Sequence, residues 1–187
     1  QNNGNNTFFN ATFSSGLYDA SISMGAIFFD YDNDGDQDVY LTHDGNQANI
    51  MYENNGFGFF YDVSLLTNLN VAGQGMGVDH GDVNNDGHLD IYVTNLGPNF
   101  LLLNNGNGSF GEIAIDAGVA DETGMGWGCF FVDYDNKLAN RIDTEVCKII
   151  NHCEKVAKKI ILEFESIICS KSFGDSNLII PCISLAI

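Results

Sequence analysis

Asp30-Tyr31-Asp32-Asn33-Asp34-Gly35-Asp36-Gln37-Asp38 is the stretch that decides the fold, because it returns 52 residues later as Asp82-Val83-Asn84-Asn85-Asp86-Gly87-His88-Leu89-Asp90. The first copy carries carboxylates at positions 1, 3, 5 and 9 and glycine at position 6. Like charges at that spacing repel one another unless a cation sits among them. Hard oxygen ligands on alternate residues suit Ca²⁺, which takes 6 to 8 oxygens at about 2.3–2.6 Å and tolerates a flexible loop. The ligand set read from the first loop is the side chains of Asp30, Asp32, Asp34 and Asp38 with the backbone carbonyl of Asp36. In the second loop it is Asp82, Asn84, Asp86 and Asp90 with the carbonyl of His88. Two calcium sites are therefore expected.

An EF-hand shares the start of this pattern but needs a bidentate Glu at position 12 and flanking helices. Leu41 and Val93 stand at position 12, inside strand-like sequence, so the EF-hand is rejected. The plain alternative is an acidic solvated turn; recurrence at a fixed strand-loop-strand location argues against it. A third copy begins as Asp133-Tyr134-Asp135-Asn136 and then places Lys137 at position 5, Leu138 at position 6 and Arg141 at position 9. Two cations among the ligands would repel an ion, so this loop is expected to be empty.

Outward from the loops the pattern is all strand. Gly25-Ala26-Ile27-Phe28-Phe29 precedes the first loop and Val39-Tyr40-Leu41-Thr42 follows it; Ile91-Tyr92-Val93-Thr94 follows the second, and Gly128-Cys129-Phe130-Phe131-Val132 precedes the third. These are β-branched and aromatic runs of strand length. A third strand, Asn49–Tyr52 or Phe100–Leu103, runs into an Asn-Asn-Gly turn, and a fourth follows near Phe59–Tyr61 or Ser109–Phe110. That turn occurs at Asn2, Asn54 and Asn104, a second marker of the same period. A repeated four-stranded antiparallel unit of about 50 residues is a β-propeller blade. The expected fold class is all-β, with about two to three blades, too few to close a ring, followed by a helical tail.

The loop pattern, the turn Asn104-Asn105-Gly106-Asn107-Gly108-Ser109-Phe110, the segment Ala117-Gly118-Val119 and Gly126-Trp127-Gly128 together resemble the FG-GAP or VCBS repeats of integrin α-subunit-like and cartilage-acidic-protein-like β-propellers. The resemblance covers residues 1–136. It implies a secreted or periplasmic propeller, usually of seven blades, whose calcium is structural. The expected function is an extracellular calcium-binding module for adhesion or recognition of a protein or carbohydrate ligand. Two other readings stand beside it: a truncated gene product without activity of its own, and a fragment of a propeller-type carbohydrate-active enzyme. The chain departs from the family in blade number and in its tail.

With 187 residues and 44% hydrophobic content the chain is globular, of one to two domains. Its net charge of -18 removes the counterion-release term of phosphate binding, so nucleic acid and anionic membrane are poor partners. All 7 Lys and Arg and four of the 5 Cys lie from Lys137 onward. Two compositions meet there, dividing the chain into 1–137 and 138–187. From Ile142 the apolar residues Val146, Ile149, Ile150, Cys153, Ala157, Ile160, Ile161, Phe164 and Ile168 follow helical spacing, with Asp143 as N-cap. This is either an amphipathic helix that covers an open blade or binds a partner, or non-native sequence from a frame change or intron read-through.

Other candidates carry less. Cys147, His152 and Cys153 lack a fourth zinc ligand. Cys129 reads as a small buried hydrophobe. His43, His80 and His88 have no nucleophile placed beside them and read as surface or loop residues, and the absence of Lys and Arg before residue 137 counts against an enzyme acting on anions. Asn5, Asn10 and Asn107 begin N-glycosylation sequons. Gln1 opens without a signal-peptide pattern, and the run Leu178–Ile187, broken by Pro181, is too short to span a bilayer. The open sheet faces, lined by residues such as Phe28, Phe29, Phe130 and Phe131, must be covered either by the tail or by self-association.

Overall fold

Alternating apolar residues on each side of the acidic loops form antiparallel ladders, and the computed structural model describes them over residues 1–121 and 124–131. In the first blade β1 (Ser23–Phe29), β2 (Asp38–His43), β4 (Ile50–Asn54) and β5 (Phe60–Asp62) pair in the order β1-β2-β4-β5. In the second, β7 (Gly75–Gly81), β8 (Asp90–Asn95), β9 (Phe100–Asn104) and β10 (Phe110–Glu112) repeat that meander. All neighbours are antiparallel. A two-stranded pair joins β3 (Gln47–Ala48), in the connection from β2 to β4, to β6 (Ala72–Gly73), in the linker before the second blade, and one helical turn, α1 (Ser64–Thr67), follows β5. Neither had a signal in the sequence. Asn2 and Phe8 make an isolated antiparallel bridge around the first Asn-Asn-Gly turn.

Because side chains alternate across a strand, register decides which face each residue serves. Ile27, Tyr40 and Met51 are aligned across the first blade, and His80, Ile91 and Leu102 across the second. The main core lies between the two sheets, with Phe29, Tyr40 and Met51 of one packed in a cluster with Ile91, Val93 and Leu102 of the other. Each such burial contributes about 1.5–3 kcal/mol. Blade approach is close enough to require glycine. A Cβ on Gly25 would lie 2.8 Å from the Met76 carbonyl oxygen, and one on Gly77 would lie 2.8 Å from the Trp127 carbonyl oxygen. The same clash recurs because the same strand position of one unit meets the same position of the next.

Two expectations change. Phe29 is only 1% exposed and belongs to the core, whereas Phe28, on the opposite face, is 60% exposed; alternation separates the adjacent pair. Phe131 packs against a second cluster built on Tyr92 and Leu101, while Phe130 is exposed. Residues 128–131, expected as a strand, form none. The third acidic loop at Asp133 and Asp135, the helix from Ile142 and Cys147, His152 and Cys153 lie outside the described residues. Among the described residues no helix is long and apolar enough to cross a membrane.

The uncovered face of β1 has an internal counterpart. Met24 is 44% exposed, whereas Met76, the same position one unit later, is 5% exposed beneath the first blade. Brief peroxide treatment of the full chain followed by peptide mass spectrometry is expected to oxidise Met24 well before Met76 or the buried Met51. Equal rates at Met24 and Met76 would show that β1 is covered.

Candidate metal centre

Each acidic loop leaves the first strand of its blade and folds back through its own carboxylates. Asp30 accepts from the backbone N–H groups of Asp34 (3.1 Å) and Gly35 (3.0 Å), Asp32 accepts from Asp34 N–H (3.3 Å), and Asp34 accepts from Asp36 N–H (3.0 Å). The second loop repeats this: Asp82 accepts from Asp86 (3.1 Å) and Gly87 (2.9 Å), Asn84 Oδ1 accepts from Asp86 (3.1 Å), and Asp86 accepts from His88 (2.9 Å). Gly35 and Gly87 take positive φ, +96° and +87°, as position 6 requires. So do Asn33 (63°) and Asn85 (54°) at position 4. Asparagine tolerates that region best after glycine, a role the sequence reading missed although the residue recurs in both copies.

The ninth-position aspartates are struts as well as ligand candidates. Asp38 is buried and accepts from Tyr31 N–H (3.2 Å) and Asn54 N–H (2.8 Å), tying the loop start to the Asn-Asn-Gly turn. Asp90 does the same with Val83 and Asn104, both at 2.8 Å. Burial pushes the Asp38 carboxyl up to about 7 and the Asp90 carboxyl up to about 6, against the lowering effect of those N–H groups. Asp32 is raised by burial and by the Asp34 carboxylate.

Three of the expected ligands are brought together: Asp30, Asp32 and Asp38 each offer an oxygen within 4.8 Å of the others. Asp36, assigned through its backbone carbonyl, also has a side-chain Oδ1 that is buried without a hydrogen-bond partner. Three carboxylates crowded into one all-oxygen donor set fit a hard divalent cation.

The histidines separate. His43 is fully buried in β2, not on the surface, with Nε2 2.9 Å from Asp19 Oδ2 and Nδ1 2.5 Å from the Ala48 carbonyl. Asp19 also accepts from the Ser23 hydroxyl at 2.5 Å, so the carboxylate stands between this serine and the imidazole and the two are not paired as nucleophile and base. His80 stacks on Phe29 with centroids 5.4 Å apart, and the His88 ring lies over Gly106 beside the second loop. Cys129 is pushed up to about 12 by burial and by Asp79, as suits an inert thiol.

A buried polar clip also repeats. Asn49 Nδ2 donates to the Tyr40 hydroxyl (3.0 Å), which donates to the Leu69 carbonyl (3.1 Å); Asn99 and Tyr92 do the same toward Val119 (3.0 and 2.7 Å). It fixes the linker that leads out of each blade. Two overlapping segments, residues 30–93 and 82–136, match the family model described as FG-GAP-like repeat. No curated protein matches the chain.

Proposed function

The chain belongs to the FG-GAP-like repeat family, and from that premise we propose that it is an extracellular calcium-binding β-propeller repeat module whose ions are structural. The observation that carries this reading is the recurrence, one blade apart, of an oxygen-donor loop with a buried ninth aspartate. Asp30, Asp32, Asp34 and Asp38 with the Asp36 carbonyl would hold one ion, and Asp82, Asn84, Asp86 and Asp90 with the His88 carbonyl a second. Bound calcium supplies positive charge that relieves the repulsion among these carboxylates. The protein's part is to hold each loop between its first two strands and, through Asp38 or Asp90, against the turn joining its last two.

The role is recognition or adhesion toward an extracellular protein or carbohydrate, and the module is not an enzyme. His43, the most enclosed imidazole, is consumed by structural hydrogen bonds, which supports that reading. Extracellular calcium modules commonly bind at ~10⁻⁴ to 10⁻³ M, within reach of millimolar calcium outside cells.

Isothermal titration of calcium into chelator-treated full chain is expected to give two ions per chain. A ligand that binds only the folded state raises stability by about 2.7 kcal/mol per site at a hundredfold excess over Kd. Zero stoichiometry, or a melting temperature unmoved by calcium, defeats the reading.

A further inference from the structure

The two acidic loops touch. Asn33, at position 4 of the first, donates from Nδ2 to His88 Nδ1 at 3.0 Å and to the Gly87 carbonyl at 3.4 Å, both in the second loop. Beneath them lies Asn104, whose side-chain Nδ2 donates to the Tyr31 carbonyl of the first loop (2.8 Å) and to the Leu89 carbonyl of the second (3.3 Å). The Asn104 backbone N–H holds Asp90. Asn104 is 1% exposed, so these partners have no water to replace them. Its counterpart Asn54 donates from Nδ2 to Gln37 of its own loop (3.1 Å), so the reach to the neighbouring loop belongs to the pairing of blades.

We propose that the two sites are coupled, each ion raising the affinity for the other. This rests on the calcium reading above, whose loop also contains the orphaned Asp36 Oδ1. Ligands at positions 3 and 5 flank Asn33, so ordering them fixes its backbone and aims its amide at His88, the residue whose carbonyl is a ligand of the second site. Ordering Asp30 and Asp32 likewise fixes Tyr31, whose carbonyl then holds Asn104 and, through it, Asp90. The second loop is thus partly ordered before its ion arrives and loses less freedom on binding. Coupling is reciprocal, so filling the second loop first helps the first equally.

The test is a calcium titration of the full chain by calorimetry, with hydrogen exchange read at residues 82–90. Wild type is expected to bind its second ion about fivefold tighter than statistical independence allows, at the low end of ordinary coupling. Asn33→Gly keeps the left-handed backbone and every ligand but removes the bridging amide. It is expected to bind two ions with that enhancement reduced or abolished. In Asp86→Ala, where calcium fills the first loop alone, exchange at residues 82–90 should still slow on calcium addition, and adding Asn33→Gly should weaken that slowing. Two ions bound independently in wild type would overturn the proposal, as would cooperativity that survives both Asn33→Gly and a folded Asn104→Ser. A chain that binds no calcium overturns the calcium reading and the coupling with it.

Discussion

Replacing His43 with alanine is expected to destabilise the protein by about 2–4 kcal/mol, because it empties a fully buried ring site and leaves the Ala48 carbonyl and the partly buried Asp19 carboxylate without that partner. At this chain length that corresponds to a fall of about 4–16 °C in Tm by calorimetry. Both ring nitrogens lie within hydrogen-bond reach of oxygens, the Ala48 carbonyl and the Asp19 carboxylate. Burial alone would raise Asp19, but hydrogen bonds from Ser23, Ser21 and His43 outweigh it and lower the carboxyl from 3.8 to about 2. A carboxylate lowered in the folded state stabilises the fold above its unfolded value, so this contribution is complete above pH ~4 and disappears as pH falls through about 2. The second blade supplies a control, since 52 residues on the pair is Val71 and Asn95. Asp19→Val combined with His43→Asn is expected to recover most of the loss. A His43→Ala variant that melts within a degree or two of wild type would show that the pair contributes nothing net.

The strands of both blades were legible because hydrophobic alternation, glycine-bearing turns and a 50-to-52-residue period all pointed to one answer. What the sequence hid was pairing over distance. Asp19 and His43 are 24 residues apart with no repeat to advertise them, so His43 reads as a surface or loop residue until the segment before β1 is seen folded against it. The Tyr40–Asn49 and Tyr92–Asn99 clips were in principle visible, since both members recur, the tyrosine after 52 residues and the asparagine after 50. Tyrosine in a strand is ordinary, however, and gives no hint that its hydroxyl is spoken for. β3 and β6, two residues each, are too short to carry a periodicity at all.

The candidate site was legible in its ligands and not in its mechanics. Positions 1, 3, 5 and 9 announce themselves through charge. Asn33 and Asn85 do not, because their importance lies in a backbone angle and, for Asn33, in a contact with a loop 55 residues away. The double duty of Asp38 and Asp90 was equally invisible. Spacing shows a carboxylate in reach of an ion, but only the folded ladder shows that it also accepts the N–H groups holding the hairpin turn.

That double duty makes Asp38→Asn the most informative change at the site. An amide can accept from one of the N–H groups of Tyr31 and Asn54 but must present its own donor to the other, leaving a buried clash of donors that costs about 1–3 kcal/mol. Loss of the carboxylate is also expected to reduce calcium stoichiometry from two to one, removing about 2.7 kcal/mol more at a hundredfold excess over Kd. The sign of the pH response separates the two effects. In calcium-free protein Asp38 is raised to about 7 and Asp90 to about 6, both from 3.8, so the folded chain retains protons that the unfolded chain has released. Their contribution is therefore fullest below pH ~4 and declines as pH rises through 6 and 7. Calcium-free wild type should lose stability over that range, whereas calcium-free Asp38→Asn should lose markedly less above pH 6, retaining the responses of Asp90 and Asp32. Calcium should reverse the trend in wild type, because the ion competes with those same protons and binds more tightly as they leave. Identical stability–pH slopes for the two calcium-free proteins between pH 6 and 8, measured by denaturant unfolding, would show that Asp38 is not the group that holds the proton.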